Sequence, residues 1–449
     1  MNSREKEDHI AFKEEHWQKL NYTTGCFERR FANSNENYRN ADLEKQRASV
    51  LRKKSLLNLE KLLVDFETHF VENGGLVLWA RDADDAQQMI WDLIIKNGVK
   101  SVSRSNSTVL DEIQLNDFLA ERKMPVYETS VARFVLQAAG QAPYHPISPM
   151  LHLSKEEING ILYKNYKLKV ESTPKQIVNF IRHQVSLNVE EAKMCITGAN
   201  FLLSDVGGVA LTENEGNIIK ASSAAKIHVV VAGIAKVIPS IEDLSILFPL
   251  SSNHATGHPM ASVNTITTGP SKQNDGPQQM IVILLNNGRT NILENEKQRQ
   301  ALACIHCGAC TSVCPIFKNI GGYSYNSTYI GPIGTVMTPL LDGIENHKEM
   351  TTLCALCGRC SEVCPVNIPI NDLTIENRSI IATERIGDAK FEALVKAMIA
   401  HCKSRKKLDL PIWLKKFEIK QLVSKNDFVL RQMPELAPKS FSQIYKESL

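Results

Sequence analysis

The stretch "CIHCGACTSVCP", from Cys304 to Pro315, carries four cysteines, and "CALCGRCSEVCP", from Cys354 to Pro365, nearly repeats it. Each stretch has the spacing C-x2-C-x2-C-x3-C-P, which is that of bacterial ferredoxins rather than of two separated CxxC knuckles. A four-iron cubane needs three thiolates folded tightly around it and a fourth that arrives from elsewhere. Two such cysteine runs therefore predict two [4Fe-4S] clusters, and two adjacent clusters predict electron transfer.

We expect each run to lend its fourth cysteine to the other cluster. The first cluster would be held by Cys304, Cys307, Cys310 and Cys364, and the second by Cys354, Cys357, Cys360 and Cys314. The alternatives are zinc, because CxxC pairs also occur in zinc ribbons, and thiols that bind nothing. Ile316 and Val366, each following a Cys-Pro pair, are expected to shield a cluster from water. Between the runs, "GGYSYNSTYIGPIGTVMTPLLDG" contains helix-compatible and turn elements, which favours a helical di-cluster domain over a small β-ferredoxin.

Length and charge limit what the rest of the chain can do. At 449 residues we expect two or three domains, and the net charge of +3 makes no strong case for binding nucleic acid or an anionic membrane. The start, "MNSREKEDHI", lacks the apolar core of a signal peptide, and "IHVVVAGIAKVIP" is too short to span a bilayer. We therefore expect a cytoplasmic protein with no transmembrane segment, and leave peripheral membrane contact open. In that compartment eleven cysteines indicate metal ligands rather than disulfides.

The region from 73 to 292 alternates between strand and helix patterns, which predicts an α/β domain with a largely parallel sheet. "GGLVLWA" predicts a turn and a buried strand, and "KIHVVVAG" and "QQMIVILLNN" predict the clearest buried strands. Helices are predicted over "TVLDEIQLNDFLAERK" and from Pro174 to Lys193. "CITGANFLLSDVGGVALTENEGN" indicates a hairpin or two loops over a sheet, and "SSNHATGHPMASVNTITTGPSKQNDGP" is interpreted as a long functional loop.

Four segments follow from these patterns. Residues 1–72 form an N-terminal helical segment, in which Leu59, Leu62, Leu63, Phe66 and Phe70 make one apolar stripe. Residues 73–292 are the α/β domain, 293–385 the di-cluster domain and 386–449 a basic helical tail. The tail contains "CKSRKK" and is expected to dock or pack rather than to bind nucleic acid.

Several polar residues of the α/β region are candidates for ligand binding or catalysis. Glu213 and Glu215 would share one side of an extended strand, either for acid–base work or facing solvent. The "RSNS" stretch at Arg104 could bind a small carboxylate after a strand, although helix capping by Ser105 or Ser107 is the competing interpretation. His228 is expected to be a core histidine. No dinucleotide or P-loop fingerprint occurs in this region, so catalytic residues stay unassigned.

Other isolated residues of metal-binding types have simpler interpretations. Cys26, Cys195 and Cys402 have no partners at ligand spacing, so we interpret them as buried or incidental thiols. His306 lies inside the first run and either hydrogen-bonds near a cluster or is an ordinary, partly exposed histidine.

Long segments of the chain resemble the lactate utilization protein B family. They include "GGLVLWARDADDA", "ITGANFLLSDVGGVALTENEGN", "KIHVVVAGIAKVIPSIEDL" and both cysteine runs, and "PELAPKSFSQIYKE" is similar to the family's C-terminal segment. The resemblance implies a lactate-utilization (LUD) α/β domain of the NagB/RpiA/CoA-transferase-like class, followed by an α-helical di-cluster [4Fe-4S] ferredoxin domain. It also implies an electron-carrier subunit in a system oxidising L-lactate to pyruvate. Its partners would be two sister subunits, a cysteine-rich iron–sulfur protein and a second lactate-utilization-domain protein.

Two other functions remain open at this point. One is a redox-sensing or ligand-binding protein whose clusters report redox state or brace the fold. The other is a self-sufficient 2-hydroxy acid oxidoreductase with its own substrate site in the α/β domain. Two full cysteine runs favour electron transfer over bracing, because one structural cluster would suffice to brace.

Overall fold

The computed structural model describes residues 13–35, 38, 40–273, 275–384 and 437–448, together with 396, 399, 400, 403–405 and 409. These residues belong to two compact units, Met1–Asn377 and Arg378–Leu449, and each unit is described by itself. Both cysteine runs and the whole α/β region lie in the first unit. In the part of the chain so described, no helix is long and apolar enough to cross a membrane.

A six-stranded parallel sheet lies at the centre of the first unit, in the strand order β1-β10-β7-β4-β2-β3. Its strands are β1 (Leu76–Ala80), β2 (Val102–Arg104), β3 (Val126–Glu128), β4 (Met194–Thr197), β7 (Ile227–Gly233) and β10 (Gln279–Leu285). Strands β7 and β10 pair in the middle, with Ile281 opposite Val229. Every residue of β7 is buried, as is all of β10 after Gln279, because parallel strands covered on both faces need continuous apolar runs. The two strands predicted most clearly are confirmed.

Strand β1 differs from its prediction because it lies at the edge of the sheet. Val77 and Ala80 are buried, but Leu76 and Trp79 are 47% and 45% exposed. The apolar composition of "GGLVLWA" suggested a buried strand. An edge strand has a neighbour on one side only, and composition does not reveal which strand lacks the second neighbour.

Helices cover both faces of the sheet. They are α4 (Ala83–Lys96), α5 (Thr108–Glu112), α6 (Leu115–Glu121), α7 (Val131–Ala139), α8 (Lys155–Tyr166), α9 (Pro174–Glu191) and α10 (Asn217–Ala224). Helices α4 to α6 share a core with one face, to which Met194 and Ile196 of β4 contribute. Helices α7 to α10 pack on the opposite face, where the intervening Cys195 points. Helix α9 confirms its prediction, and a capping box of Thr173 and Gln176 starts it.

The single helix predicted over "TVLDEIQLNDFLAERK" is wrong, because the chain forms two helices there. Gln114 between α5 and α6 has φ of 47°, a left-handed conformation that ends one helix before the next begins. The apolar residues on both sides are buried in the same core, so the hydrophobic pattern continued across the break.

A smaller four-stranded sheet has the order β8-β5-β6-β9. Its strands are β5 (Phe201–Leu203), β6 (Gly208–Glu213), β8 (Val237–Ile238) and β9 (Val263–Thr267). Strands β5 and β6 form the predicted hairpin. The long functional loop predicted from 251 is wrong, because helix α11 (Leu244–Thr256) takes its first part and β9 its middle. Polar residues misled the prediction: Asn253 and His254 are buried within α11, and β9 pairs along β6.

Three N-terminal helices pack against this framework: α1 (Glu14–Asn35), α2 (Ala41–Leu57) and α3 (Leu59–Glu72). The predicted apolar stripe of α3 is confirmed, because all five of its residues are buried against the face of the central sheet and the hairpin. Helix α2 and α11 share a core with the cysteine region, in which Ala48, Phe248 and Cys307 are members. The cysteine region is therefore packed into the α/β framework through α2.

The regular secondary structure of the cysteine region is helical. Its helices are α12 (Arg289–Glu294), α13 (Ala309–Ser312), α14 (Pro315–Ile320), α15 (Gly331–Asp342), α16 (Arg359–Glu362) and α17 (Ile370–Thr383). Short 3-10 turns occur at Arg299–Ala303, Tyr323–Tyr325 and Lys348–Thr352, as they do at Ile234–Lys236 and Ile241–Asp243 in the α/β region. Residues 293–384 are all described and contain no β-strand, which confirms a helical di-cluster domain over a β-ferredoxin.

In the second unit, helix α18 (Phe441–Glu447) begins at a capping box formed by Ser440 and Gln443. The side chain of Ser440 also donates to Asp409. Half of the "CKSRKK" stretch, including Cys402, lies outside the described residues.

Candidate metal centre

The two cysteine runs adopt the same backbone conformation at matching positions. The residue before the second cysteine is left-handed in both, with φ of 56° at His306 and 52° at Leu356. The glycine after the second cysteine is left-handed too, with φ of 75° at Gly308 and 79° at Gly358. Each glycine then begins a single turn of helix, α13 or α16. The repeat in the sequence is thus a repeat of one thiol-bearing loop.

These loops aim backbone N–H groups at cysteine sulfurs. The amide of His306 donates to Cys304 Sγ at 3.3 Å, and that of Leu356 donates to Cys354 Sγ at 3.4 Å. The fourth cysteines receive similar bonds, from Phe317 to Cys314 at 3.5 Å and from Ile368 to Cys364 at 3.3 Å. Amide donors stabilise negative charge on sulfur, so the loops are built for thiolates rather than for neutral thiols.

The electrostatic influences among the cysteine thiols cross between the two runs. Burial raises the pKa of Cys307 and of Cys310, and the charge of Cys364 raises both further. Burial likewise raises the pKa of Cys314, and Cys354 and Cys357 raise it further. We call Cys304, Cys307, Cys310 and Cys364 the first thiol group, and Cys354, Cys357, Cys360 and Cys314 the second thiol group. Thiols of one run therefore lie close enough to thiols of the other run to influence their pKa values.

The chemistry of these groups fits iron–sulfur clusters. Burial and neighbouring thiols raise the pKa of Cys360 to about 12 and burial raises that of Cys364 to about 11, so the thiols cannot all ionise by themselves near neutral pH. A cationic iron–sulfur centre would lower these pKa values, because its positive charge stabilises all four thiolates at once. Within the described residues no three His, Cys, Asp or Glu side chains converge on a point suited to one metal ion. This is compatible with a cubane, whose irons hold the thiolates farther apart than a single tetrahedral ion does.

The two thiol groups differ in their access to solvent. In the first group, Cys307, Cys310 and Cys364 are buried. In the second, Cys357 is exposed, and the neighbouring Leu356 is 39% exposed. The first group is thus interior, while the second reaches the surface of the molecule.

Two cations, the buried Arg52 and the half-buried Lys236, lie near Cys304 of the first thiol group. Arg52 on α2 is fully buried and donates to the carbonyl oxygens of Ala235, Val237, Leu302 and Ala303. Burial lowers its pKa to about 10 and that of Lys236 to about 7, while the charge of Cys304 opposes both shifts. Sequence reasoning missed both residues: Arg52 stands in the polar stretch "LRKKS", and Lys236 lies in "IHVVVAGIAKVIP", which was considered only as a possible membrane span.

A cavity of about 660 Å³ adjoins the first thiol group. Its walls include the segments that follow β2, β4 and β7, at the carboxyl ends of the parallel strands, where α/β folds commonly bind ligands. Another wall is the first cysteine run from Cys304 to Cys307. The α/β region and the cysteine region therefore enclose one space together.

Comparison with known proteins agrees with this architecture. Residues 63–285 match the LUD domain, and residues 300–368 match the 4Fe-4S dicluster domain. The chain is 34% identical to lactate utilization protein B of Shouchella clausii over 77% of its own length and 73% of that protein's. It is 35% identical to lactate utilization protein B of Geobacillus thermodenitrificans over 76% of its length and 72% of that protein's.

The chain belongs to the lactate utilization protein B family. Its two matched regions coincide with the parallel-sheet α/β part and the helical cysteine part. A crystal structure of a duf162 family protein from Deinococcus radiodurans covers 51% of the chain at 12% identity, and its TM-score of 0.30 is too low to carry an argument.

In this member of the lactate utilization protein B family, Arg104 is not presented to a ligand. It is buried and forms ion pairs with Asp111 at 3.0 Å and Glu128 at 3.6 Å. The network borders a second cavity of about 1130 Å³. Ser107 holds the N-cap position of α5 without a capping hydrogen bond from its side chain. The structure thus gives Arg104 an internal role, and neither serine is seen to cap through its hydroxyl.

The predicted placement of Glu213 and Glu215 on one side of a strand is wrong, although Glu215 faces solvent, as one of the two interpretations had it. Strand β6 ends at Glu213, so the two carboxylates do not share one side of a strand. Glu213 is buried and accepts from the amides of Ile218 and Ile219 at 2.8 and 2.9 Å. Glu215 accepts from the amide of Val131 at 2.9 Å. Each carboxylate is therefore engaged with backbone.

The remaining candidates occupy ordinary positions. His228 is a core residue, as predicted, with Nε2 2.8 Å from the hydroxyl of Thr197 and a pKa that burial lowers to about 4. Cys195 is buried in β4, and burial raises its pKa to about 12. Cys26 is half-buried. His306 is partly exposed, as one of its two interpretations had it, and its ring lies 5.6 Å from that of Tyr329. The other interpretation, a hydrogen bond near a cluster, stays a hypothesis.

Proposed function

We propose that this protein is the iron–sulfur electron-transfer subunit of a multi-protein system that oxidises L-lactate to pyruvate. The match to the 4Fe-4S dicluster domain supports electron transfer, and the printed name of its relatives, lactate utilization protein B, supports lactate as the compound concerned. The observation that carries the proposal is that thiols of each cysteine run raise the pKa of thiols in the other run.

In this proposal the protein holds two [4Fe-4S] clusters with crossed ligands. The first thiol group binds the first cluster through Cys304, Cys307, Cys310 and Cys364. The second thiol group binds the second cluster through Cys354, Cys357, Cys360 and Cys314. The influence of Cys364 on the pKa of Cys307, and of Cys354 on that of Cys314, supports this assignment over two self-contained runs. Val366, which is 2% exposed, would shield the first cluster, and the half-buried Ile316 the second.

The surroundings of the two groups suggest a direction for the electrons. Bound clusters would supply one-electron redox chemistry, and the chain's own residues would set the potential and the access of each site. Arg52 and Lys236 place positive charge beside the first group, which favours its more negative reduced state. The exposed Cys357 and Leu356 bring the second group to the surface. Electrons move toward the higher potential, so we propose entry at the surface site and transfer from it to the interior site.

Sister subunits complete the proposed system. Oxidation of lactate to pyruvate removes two electrons and breaks a C–H bond, whereas each cluster carries one electron at a time. A partner that breaks this bond is therefore part of the proposal, together with a cysteine-rich iron–sulfur protein that exchanges electrons. We place the system in the cytoplasm, because reduced thiols persist there. We also propose the division into segments 1–72, 73–292, 293–385 and 386–449.

Anaerobic purification tests the proposal directly. We expect a brown protein with about eight irons per chain and broad visible absorption that lactate bleaches only when the sister subunits are added. Stoichiometric zinc without visible absorption would overturn the cofactor assignment. Bleaching by lactate with the purified chain alone would overturn the role as a subunit and favour a self-sufficient oxidoreductase.

A further inference from the structure

Among the described residues, one cation that lines the cavity beside the first thiol group is paired with no carboxylate. Four residues with charged side chains line it: Glu213, Glu215, Lys236 and Arg289. Both glutamates accept hydrogen bonds from backbone amides. Arg289 is paired with Glu112 at 2.7 Å, and both side chains of this pair are buried. Among the described residues, Lys236 forms no hydrogen bond and no ion pair.

Two further polar groups lining the cavity lack partners in the described part of the chain. The hydroxyl of Ser252 on α11 is buried and makes no hydrogen bond. The imidazole of His306 contacts the ring of Tyr329 but makes no hydrogen bond either. Buried polar groups in folded proteins are normally paired, so the buried hydroxyl of Ser252, beside the half-buried side chains of Lys236 and His306 in one cavity, indicates a missing ligand.

The chemistry of the missing partner follows from these groups. The ammonium of Lys236 has no carboxylate partner among the described residues, so an anionic ligand would stabilise it. One cation balances the charge of one carboxylate. A hydroxyl and an imidazole can hydrogen-bond the hydroxy or oxo oxygen of the same molecule. Apolar residues, among them Ala232, Leu302 and Met337, also line the cavity and can contact the carbon atoms of such a ligand.

We propose that this cavity binds a small organic acid with one carboxylate and a neighbouring hydroxy or oxo group. Lys236 binds the carboxylate, and Ser252 and His306 face the remaining oxygen. Lys236 and Ser252 belong to the α/β region, and the first cysteine run forms one wall of the cavity. The site does not depend on electron transfer by the chain.

A consequence of this position does rest on the proposed function. An anion bound beside the first cluster disfavours the extra negative charge of reduction, so occupancy lowers the potential of that cluster. By linkage, reduction of the cluster weakens binding of the acid by the same factor. The second cluster, held by the more exposed thiol group, is affected less.

Equilibrium dialysis of the anaerobically purified protein against labelled L-lactate and pyruvate tests the site. We expect saturable binding of at least one acid, with L-lactamide failing to compete, because it keeps the shape of lactate without the charge. Lys236→Met should weaken binding by about tenfold or more, the effect of one lost charge-assisted hydrogen bond. Lys226→Met, which removes an exposed lysine of the same domain, is the matched control and should bind like wild type.

The outcomes separate this proposal from the proposed function. Equal competition by lactamide, no saturable binding, or unchanged binding by Lys236→Met would overturn the site. Loss of iron from Lys236→Met would make its binding result ambiguous, and Ser252→Ala is then the deciding variant. Weaker binding of the acid by Ser252→Ala at full iron content supports the site, and unchanged binding overturns it. Iron content and visible absorption report on the clusters independently of ligand binding, so failure of the electron-carrier role would appear there instead.

Discussion

Cys364 lies close enough to Cys307, a member of the other cysteine run, for its charge to raise the pKa of that thiol. Burial is the larger cause of the shift. The relationship matters because a self-contained run would have placed Cys314, rather than Cys364, beside Cys307.

Crossed ligation predicts which cluster each serine variant damages. Cys364→Ser should lose the same reduced-state electron paramagnetic resonance signal as Cys304→Ser, because serine is a poorer ligand than thiolate for iron–sulfur sites. Cys314→Ser should lose the signal that Cys357→Ser loses. A spectrum of Cys364→Ser that matches Cys357→Ser would mean that each run holds its own cluster.

The paired glycines offer a matched test of the first thiol group's surroundings. Gly308 and Gly358 have nearly equal left-handed φ angles, so replacement by alanine should cost each loop about 1–2 kcal/mol. A Cβ on Gly358 would meet open space, whereas one on Gly308 would lie 3.0 Å from Ile147 and 3.2 Å from His145.

We therefore expect Gly308→Ala to lose more iron than Gly358→Ala when both are purified in parallel. The lost iron should belong to the first cluster, as judged by the spectrum. Equal loss in the two variants would show that backbone strain alone, and not the crowding by Ile147 and His145, limits this position.

Solvent exposure predicts the order in which clusters are lost to a chelator. With the exposed Cys357 in the second thiol group, that cluster should release iron first, and the interior cluster later. Iron release to bathophenanthroline should be biphasic. Samples taken between the two phases should keep the electron paramagnetic resonance signal of the first cluster, which is the signal that Cys304→Ser lacks. A single phase in which both signals decline together would contradict the difference in access.

Arg52 should stabilise the junction between α2, the small sheet and the first cysteine run. Replacing it by methionine removes a fully buried guanidinium that donates to four carbonyl oxygens and leaves those acceptors unpaired. We expect the free energy of unfolding to fall by roughly 3–5 kcal/mol, measured by urea denaturation under anaerobic conditions. Arg47→Met is the control and should change stability by less than about 1 kcal/mol, since Arg47 is exposed and, among the residues that the structure describes, pairs only with Glu44 on its own helix.

Local spacing was sufficient for the features whose chemistry lies within a few residues. The cysteine runs predicted their loops and a helical setting, because three thiols of a group come from seven consecutive residues. The central strands β7 and β10 and the helix that starts at Pro174 were also predicted, because continuous apolar runs and a capping residue are local signals.

Features that depend on distant neighbours were decided by the tertiary structure. The exposed face of β1, the burial of Asn253 and His254, and the strand pairing of β9 all reflect what packs alongside. Gln114 divides a continuous apolar pattern through its backbone angle, which the pattern does not encode.

The same distinction applies to the site. Sequence alone determined that eight cysteines with ferredoxin spacing are present, since ligand type and spacing are local properties. Only the folded chain places the buried Arg52 and Lys236 near Cys304 and closes a cavity against the first run. The reason is physical: these neighbours come from α2 and the end of β7, and burial, which shifts their pKa values, is created by packing between segments far apart in the chain.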